Sequence, residues 1–169
     1  YTQTISSPLG NILLSADEVG LTGLWFDGGR YYAETLPEEH VERETPILMD
    51  TKRWLDVYFT GREPDFTPPL HPAGSPFRQA VWQLLLEIPY GQTTTYGALA
   101  KRLGGVRMSA QAVGGAVGHN PISIIVPCHR IVGTNGSLTG YAGGLDRKIK
   151  LLEIEKTDMT ACFTSSRCR

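Results

Sequence analysis

Apolar and polar positions change their period part-way along the chain. Up to residue 28 the apolar residues come in short runs. Thr2–Ser6, Asn11–Ser15 and Leu21–Phe26 are separated by Pro8-Leu9-Gly10 and by Asp17-Glu18-Val19-Gly20. Such runs between turn-forming clusters predict three strands joined as a meander. Residues 29–45 are polar and acidic and predict a surface loop with some helix. Ile47, Leu48, Trp54, Leu55 and Phe59 then recur at helical spacing, which predicts a helix over 46–60 that ends before Gly61. Residues 61–74 carry Pro64, Pro68, Pro69 and Pro72 with little periodicity and read as a linker.

Beyond the linker the period is helical. Ser75 is placed to cap a helix with Pro76 in its first turn. Phe77, Val81, Leu84, Leu85 and Ile88 form its stripe, and Pro89-Tyr90-Gly91 stops it. A second helix starts at Thr94 or Thr95 and carries Tyr96, Leu99, Ala100 and Leu103 to Gly104-Gly105. Ser109 caps a third, short helix through Val113 and Val117. Helix, glycine turn and short helix is the spacing of a helix-turn-helix. The third helix holds Ala110, Ala112, Gly114, Gly115, Ala116 and Gly118. Each glycine weakens a helix by about 1 kcal/mol relative to alanine. Small residues suit close approach to a large ligand such as duplex DNA, and equally suit tight helix packing. The β-branched run after Pro121 predicts a buried extended segment that delivers Cys128 into a turn. A glycine-rich loop at 136–144 precedes a final helix with Leu145, Ile149 and Leu152, reaching about Glu155. The sum is an α+β chain with units at 1–68 and 75–156 and a flexible tail at 157–169.

Composition narrows the class. At 169 residues the chain buries a core without disulfides. No stretch is long and apolar enough for a membrane span, and no basic-then-apolar leader opens the chain at Tyr1. The net charge of −1 hides a split: residues 1–73 carry −7 and residues 74–169 carry +6. Such a split points to an anion such as DNA meeting the second half, or to two differently solvated surfaces. The three cysteines, Cys128, Cys162 and Cys168, form no disulfide framework and suit a reducing compartment.

Pro127-Cys128-His129-Arg130 is the stretch richest in chemistry. The thiolate is the reactive form of cysteine, and neighbouring cations favour it. A small buried hydrophobe is the plainer reading of a lone free cysteine. A cysteine hydrolase needs a histidine against the thiol, and His40, His71 and His119 sit in no recognisable signature. A zinc deaminase needs a second cysteine where Ile131 stands, although His40-Val41-Glu42 superficially matches its other half.

Ser75–Trp82, Thr95–Ala100, Ala112–Ala116, Asn120-Pro121, Ile125–Arg130 and Gly140–Leu145 follow one another in order. With these pieces the chain from Ser75 to Glu155 resembles the 6-O-alkylguanine-DNA alkyltransferases, the methylated-DNA–protein-cysteine methyltransferases. The resemblance implies a small ribonuclease-H-like N-terminal unit, then a winged helix-turn-helix. It implies repair by single-turnover transfer of an alkyl group from 6-O-alkylguanine, and from 4-O-methylthymine, to the protein. Cys128 matches the acceptor, and His129 the base that acts through a water. Glu155 matches the carboxylate orienting that base, Asn120 the hinge asparagine, and Tyr96 the acid that protonates the leaving guanine. Gly97, Arg107, Ser109, Ala110, Gln111, Gly114, Arg130, Thr134, Tyr141 and Ala142 match positions that meet substrate or DNA. It further implies a monomer on the minor groove of double-stranded DNA with the damaged base flipped out. No cofactor and no metal are expected, and the location is cytoplasmic beside the nucleoid, or nuclear.

Two positions depart from the family pattern. Gln111 stands where an arginine usually fills the space of the extruded base, with Arg107 nearby. Ala142 stands where a serine usually follows the loop tyrosine. A second class, the alkyltransferase-like proteins, binds alkylated DNA without transfer. Its members normally lack the acceptor cysteine that this chain has.

Overall fold

The computed structural model describes residues 1–104, 110–133, 135–138 and 140–159. Strands β1 (Thr2–Ile5), β2 (Ile12–Ala16) and β3 (Leu21–Phe26) form an antiparallel meander in that order. The register sets Ile12 opposite Phe26 and Leu14 opposite Leu24. These four side chains are buried, so one face of the sheet is a dry apolar patch. Helix α1 (Pro46–Phe59) packs on it, against β2 and β3. Its start follows from Thr45, whose hydroxyl accepts from the Leu48 amide. Its buried stripe is Leu48, Thr51, Trp54, Leu55 and Tyr58.

The second half contains α2 (Pro76–Leu85), α3 (Tyr96–Gly104), α4 (Ala110–Gly118) and α5 (Leu145–Ile154). Ser75 caps α2 by accepting from the Arg78 amide. Val113, Ala116 and Val117 are the buried positions of α4. The Trp82 indole donates to the Ala116 carbonyl at 2.9 Å, tying α2 to α4. One face of α4 therefore packs inward, while Ala110, Gln111, Ala112 and Gly115 on the other are exposed. The packing reading of its small residues holds on the inward face, and the outward face leaves its small residues uncovered. The buried apolar residues of the two halves form one continuous core, from Ile12 and Leu55 to Val81, Val117 and Leu151.

The α+β class and the two-part layout agree with the sequence, and four local expectations do not. Residues 29–45 form turns without helix. Two non-glycine residues, Tyr31 and Ala33, take positive φ there, which a helix cannot accommodate. The linker is not free: the Leu21 amide donates to Pro69 and the His71 amide to Leu21, both at 2.7 Å. Helix α2 stops at Leu85, and its stripe continues through a turn that still buries Ile88. Thr94 and Thr95 form a short strand, β4, parallel to β5 (Ile131–Val132). Thr95 also caps α3, accepting from the Ala98 amide at 3.0 Å. The cap expected at Ser109 lies outside the described residues.

Candidate active site

The segment before Cys128 is buried, but it is a compact turn rather than a strand. Backbone pairing with β3 reaches one residue only. The Leu24 amide donates to Pro121 at 2.8 Å, and the Ser123 amide donates to Leu24 at 3.0 Å. The chain then turns away with Ile124 at φ 70°, a rare conformation for a β-branched residue. The Asn120 side chain replaces the missing ladder. Its amide donates to the Ile122 and Val126 carbonyls at 3.2 and 2.8 Å, and its carbonyl accepts from the Ile122 amide at 3.0 Å. Asn120 is itself buried, so these bonds are not exchanged with water. The turn ends in a single 3₁₀ turn, Cys128–Arg130, with Cys128 buried.

His129 is fully buried beside the thiol. Its Nε2 lies 2.6 Å from Glu155 Oε2. A carboxylate only accepts, so the ring proton sits on Nε2. Nδ1 is buried, makes no hydrogen bond and keeps its lone pair for a proton. Five donors meet on Glu155: Gly91 N, Arg130 Nε, Arg130 Nη2, Tyr58 Oη and His129 Nε2. Burial alone would raise the Glu155 pKa, but the hydrogen bonds and charges of His129 and Arg130 outweigh it and bring it to about 2. Gly91 offers its amide from a backbone at φ 80°, which only glycine adopts freely. Burial lowers the His129 pKa against the pull of Glu155, with Arg130 and Lys148 adding to the depression. The resting imidazole is therefore neutral. Burial raises the Cys128 pKa, and the Asn120 amide and the Lys148 ammonium partly offset it. The resting thiol keeps its proton.

Tyr96 opens α3, and its hydroxyl is 3.5 Å from the Gly140 carbonyl. Gly140 has φ 73°, and a Cβ there would come 3.2 Å from that hydroxyl. Burial, then the Cys128 charge, raises the Tyr96 pKa, so the phenol holds a proton to give. The Tyr141 ring stands edge-on to His129, 6.5 Å between centroids. A cleft of about 550 Å³ is lined by Tyr96, Gly114, His119, Gly140, Tyr141 and Ala142, with Arg30 and Tyr31 from the first half. Cys128 is buried and is not among the residues that line the cleft.

The structure brings Cys128, His129, Asn120 and Glu155 together, with Tyr96 and Tyr141 close by. Gly97 is half-buried in the first turn of α3, and Gly114 faces the Tyr96 ring. Ala110 and Gln111 are exposed at the start of α4. Arg130 departs from its expected place among the DNA contacts. Its guanidinium is committed to Glu155 and to the Ile88 carbonyl, and only 10% of its side chain is accessible. A cation that neutralises a buried carboxylate cannot also face a phosphate. Arg107, Ser109 and Thr134 lie outside the described residues, as do Cys162 and Cys168. Among the described residues, no three His, Cys, Asp or Glu side chains are grouped to hold a metal ion. No helix among them is long and apolar enough to cross a membrane.

Residues 76–157 match the family described as 6-O-methylguanine DNA methyltransferase, DNA binding domain. Residues 1–72 match its ribonuclease-like domain. The chain belongs to the 6-O-methylguanine DNA methyltransferase family. Among relatives, the methylated-DNA–protein-cysteine methyltransferase of Methanosarcina acetivorans is 47% identical, over 92% of this chain and 97% of that protein. The Haemophilus influenzae protein of the same name is 44% identical, over 92% of this chain and 86% of its own. The crystal structure of Mycobacterium tuberculosis OGT in complex with DNA superposes with a TM-score of 0.81. It is 39% identical and covers 95% of this chain and 97% of its own.

For this family member, the sequence reading left out Tyr58, Gly91 and Lys148. Lys148 is fully buried, and its ammonium donates to the Ile131 carbonyl behind the 3₁₀ turn. A lysine within the final helix's apolar stripe, beside Leu145, Ile149 and Leu152, was the available signal. Tyr58 had no such signal, because its partner Glu155 is 97 residues away.

Proposed function

We propose that this chain repairs DNA directly, taking the alkyl group of 6-O-alkylguanine, and of 4-O-methylthymine, onto Cys128 once per molecule. The observation that carries this is the buried Cys128–His129–Glu155 array with His129 Nδ1 left as a free base. His129 takes the thiol proton, and Glu155 stabilises the imidazolium that forms. The Cys128 sulfur attacks the alkyl carbon, the carbon–oxygen bond breaks, and its electron pair stays with guanine. Tyr96 gives its proton to the departing base, so no full anion is expelled. The thioether has no ready leaving group, and the site is spent.

Cys128 is buried, so the base has to leave its stack to reach the sulfur. The exposed small face of α4 suits close contact with the minor groove, and the +6 charge of residues 74–169 suits phosphates. In this reading the unit at 75–156 binds DNA and accepts the alkyl group, and the unit at 1–68 supports it. The protein acts as a monomer wherever the cell keeps its DNA. The acceptor thiol favours transfer over mere lesion binding.

Mixing the protein with duplex DNA holding one 6-O-methylguanine tests the proposal. The expected result is one methyl per protein, located by mass spectrometry on the peptide holding Cys128. Cys128→Ser should abolish transfer and retain DNA binding. Turnover well beyond one methyl per molecule, or an active serine variant, would refute it.

A further inference from the structure

Glu155 Oε2 is shared. It accepts from His129 Nε2 at 2.6 Å and from the Tyr58 hydroxyl at the same 2.6 Å. Tyr58 comes from α1, in the half of the chain that carries none of the other candidate catalytic residues. Its ring is stacked on Trp54 at 5.2 Å and held edge-on by Phe59 and Tyr90. The hydroxyl is therefore fixed in place and cannot swing to another partner. Burial, then the Glu155 charge, pushes the phenol far above its ordinary pKa, so it remains a donor at every working pH.

Glu155 does not need this bond for neutralisation. Arg130 already holds both of its oxygens, and Gly91 adds an amide. The extra donor falls on the oxygen that His129 uses. With the longer bond from Arg130 Nη2 at 3.1 Å, three donors share that oxygen, and each weakens the others' bonds. Glu155 raises the basicity of His129 by its charge and by the hydrogen bond at that oxygen, and the phenol limits the second. The other groups facing His129 and Glu155 are Arg130 from the 3₁₀ turn, Lys148 from α5, the Cys128 thiol, and the phenols of Tyr90 and Tyr141. The Cys128, Tyr90 and Tyr141 groups have their pKa values raised, so they stay protonated where His129 titrates.

We infer that Tyr58 is a positioning residue for alkyl transfer, which fixes Glu155 Oε2 and sets the basicity of His129 from the opposite half of the chain. The inference rests on the function proposed above, but its main test needs no substrate. The pKa of His129 can be followed by NMR in selectively histidine-labelled full-length protein. Tyr58→Phe keeps the ring and its packing and removes only the donor. Oε2 is then left to His129 and the longer Arg130 bond, and the His129 pKa should rise by roughly half to one unit. A ring-fluorinated tyrosine at position 58 is a stronger donor and should lower it. The acid limb of the pH–rate profile for methyl transfer should move with each titration, because the neutral imidazole is the base. Opposite shifts from the two variants support the inference, and a merely structural phenol would not produce them. If neither variant moves the His129 pKa, the inference is overturned, whatever happens to stability. Should Tyr58→Phe fail to fold, the fluorinated protein decides alone. If the His129 pKa moves but the wild-type protein transfers no alkyl group, the proposed function fails and the link between Tyr58 and His129 stands.

Discussion

Tyr96 and Arg130 are both polar residues near Cys128, and their surroundings give them opposite tasks. Tyr96 is half-buried at the cleft, and burial raises its pKa so that the phenol is protonated. Tyr96→Phe should slow methyl transfer about 10²–10⁴-fold while DNA binding changes little, since a proton donor is needed only as guanine leaves. Single-turnover rates and binding titrations on one duplex separate the two. Arg130 is sealed against Glu155. Arg130→Met should destabilise the fold by about 3–5 kcal/mol, because it leaves a buried carboxylate uncompensated. Urea unfolding measures this, and a loss of DNA affinity without a loss of stability would restore Arg130 to the surface. The motif around Cys128 was legible because thiol, histidine and arginine lie side by side. That adjacency also misled, since a cation next to a reactive thiol reads as a surface group until its carboxylate is located. Tyr58 was illegible because an aromatic in a helical stripe looks like packing, and its hydroxyl meets a residue far along the chain.

Helix α4 places Gln111 on its exposed face, in the first turn. A glutamine can plug a gap and hydrogen-bond but adds no charge between phosphates. Gln111→Arg should tighten DNA binding at low salt and steepen its log–log salt dependence by about one unit. Gln111→Ala should slow repair of paired lesions more than of single-stranded ones, since only the duplex has a gap to fill. If Gln111→Ala changes neither rate while Arg107→Ala slows the duplex reaction, the inserting residue is Arg107. The three strands, α1 and α5 were readable because turn residues and caps punctuate their apolar periods. The turn at 121–127 was not. Its β-branched run has the composition of a strand, and the deciding partner is the Asn120 side chain, which periodicity does not register. The pair β4–β5 escaped for a related reason: two residues carry no period, and their mates lie 37 positions apart.

The buried charge network makes the whole molecule sensitive to acid. His129 has its pKa lowered from 6.5 by burial, and Glu155 has its own brought from 4.5 to about 2. In both cases the unfolded chain binds protons before the folded one does. Their stabilisation is complete above pH 6.5. It falls first as His129 protonates in the unfolded chain, then between pH 4.5 and 2 as Glu155 does. The Glu155 part is on the order of 3 kcal/mol. Urea midpoints at stepped pH should decline in these two stages, and a midpoint flat from pH 7 to 4 would contradict the buried array. A different consequence follows from Leu24. It lies on β3, the open side of a three-stranded sheet, and its backbone groups are satisfied by Pro121 and Ser123. A ribosome releases the first half of the chain well before those residues exist. Pro69 and His71 of the first half cover the rim at Leu21, but the nascent sheet waits with its Leu24 groups bare until the turn before Cys128 arrives. The loop that readies the thiol is thus also what completes the first half's fold, and a fragment of residues 1–72 made alone should self-associate, as light scattering would show.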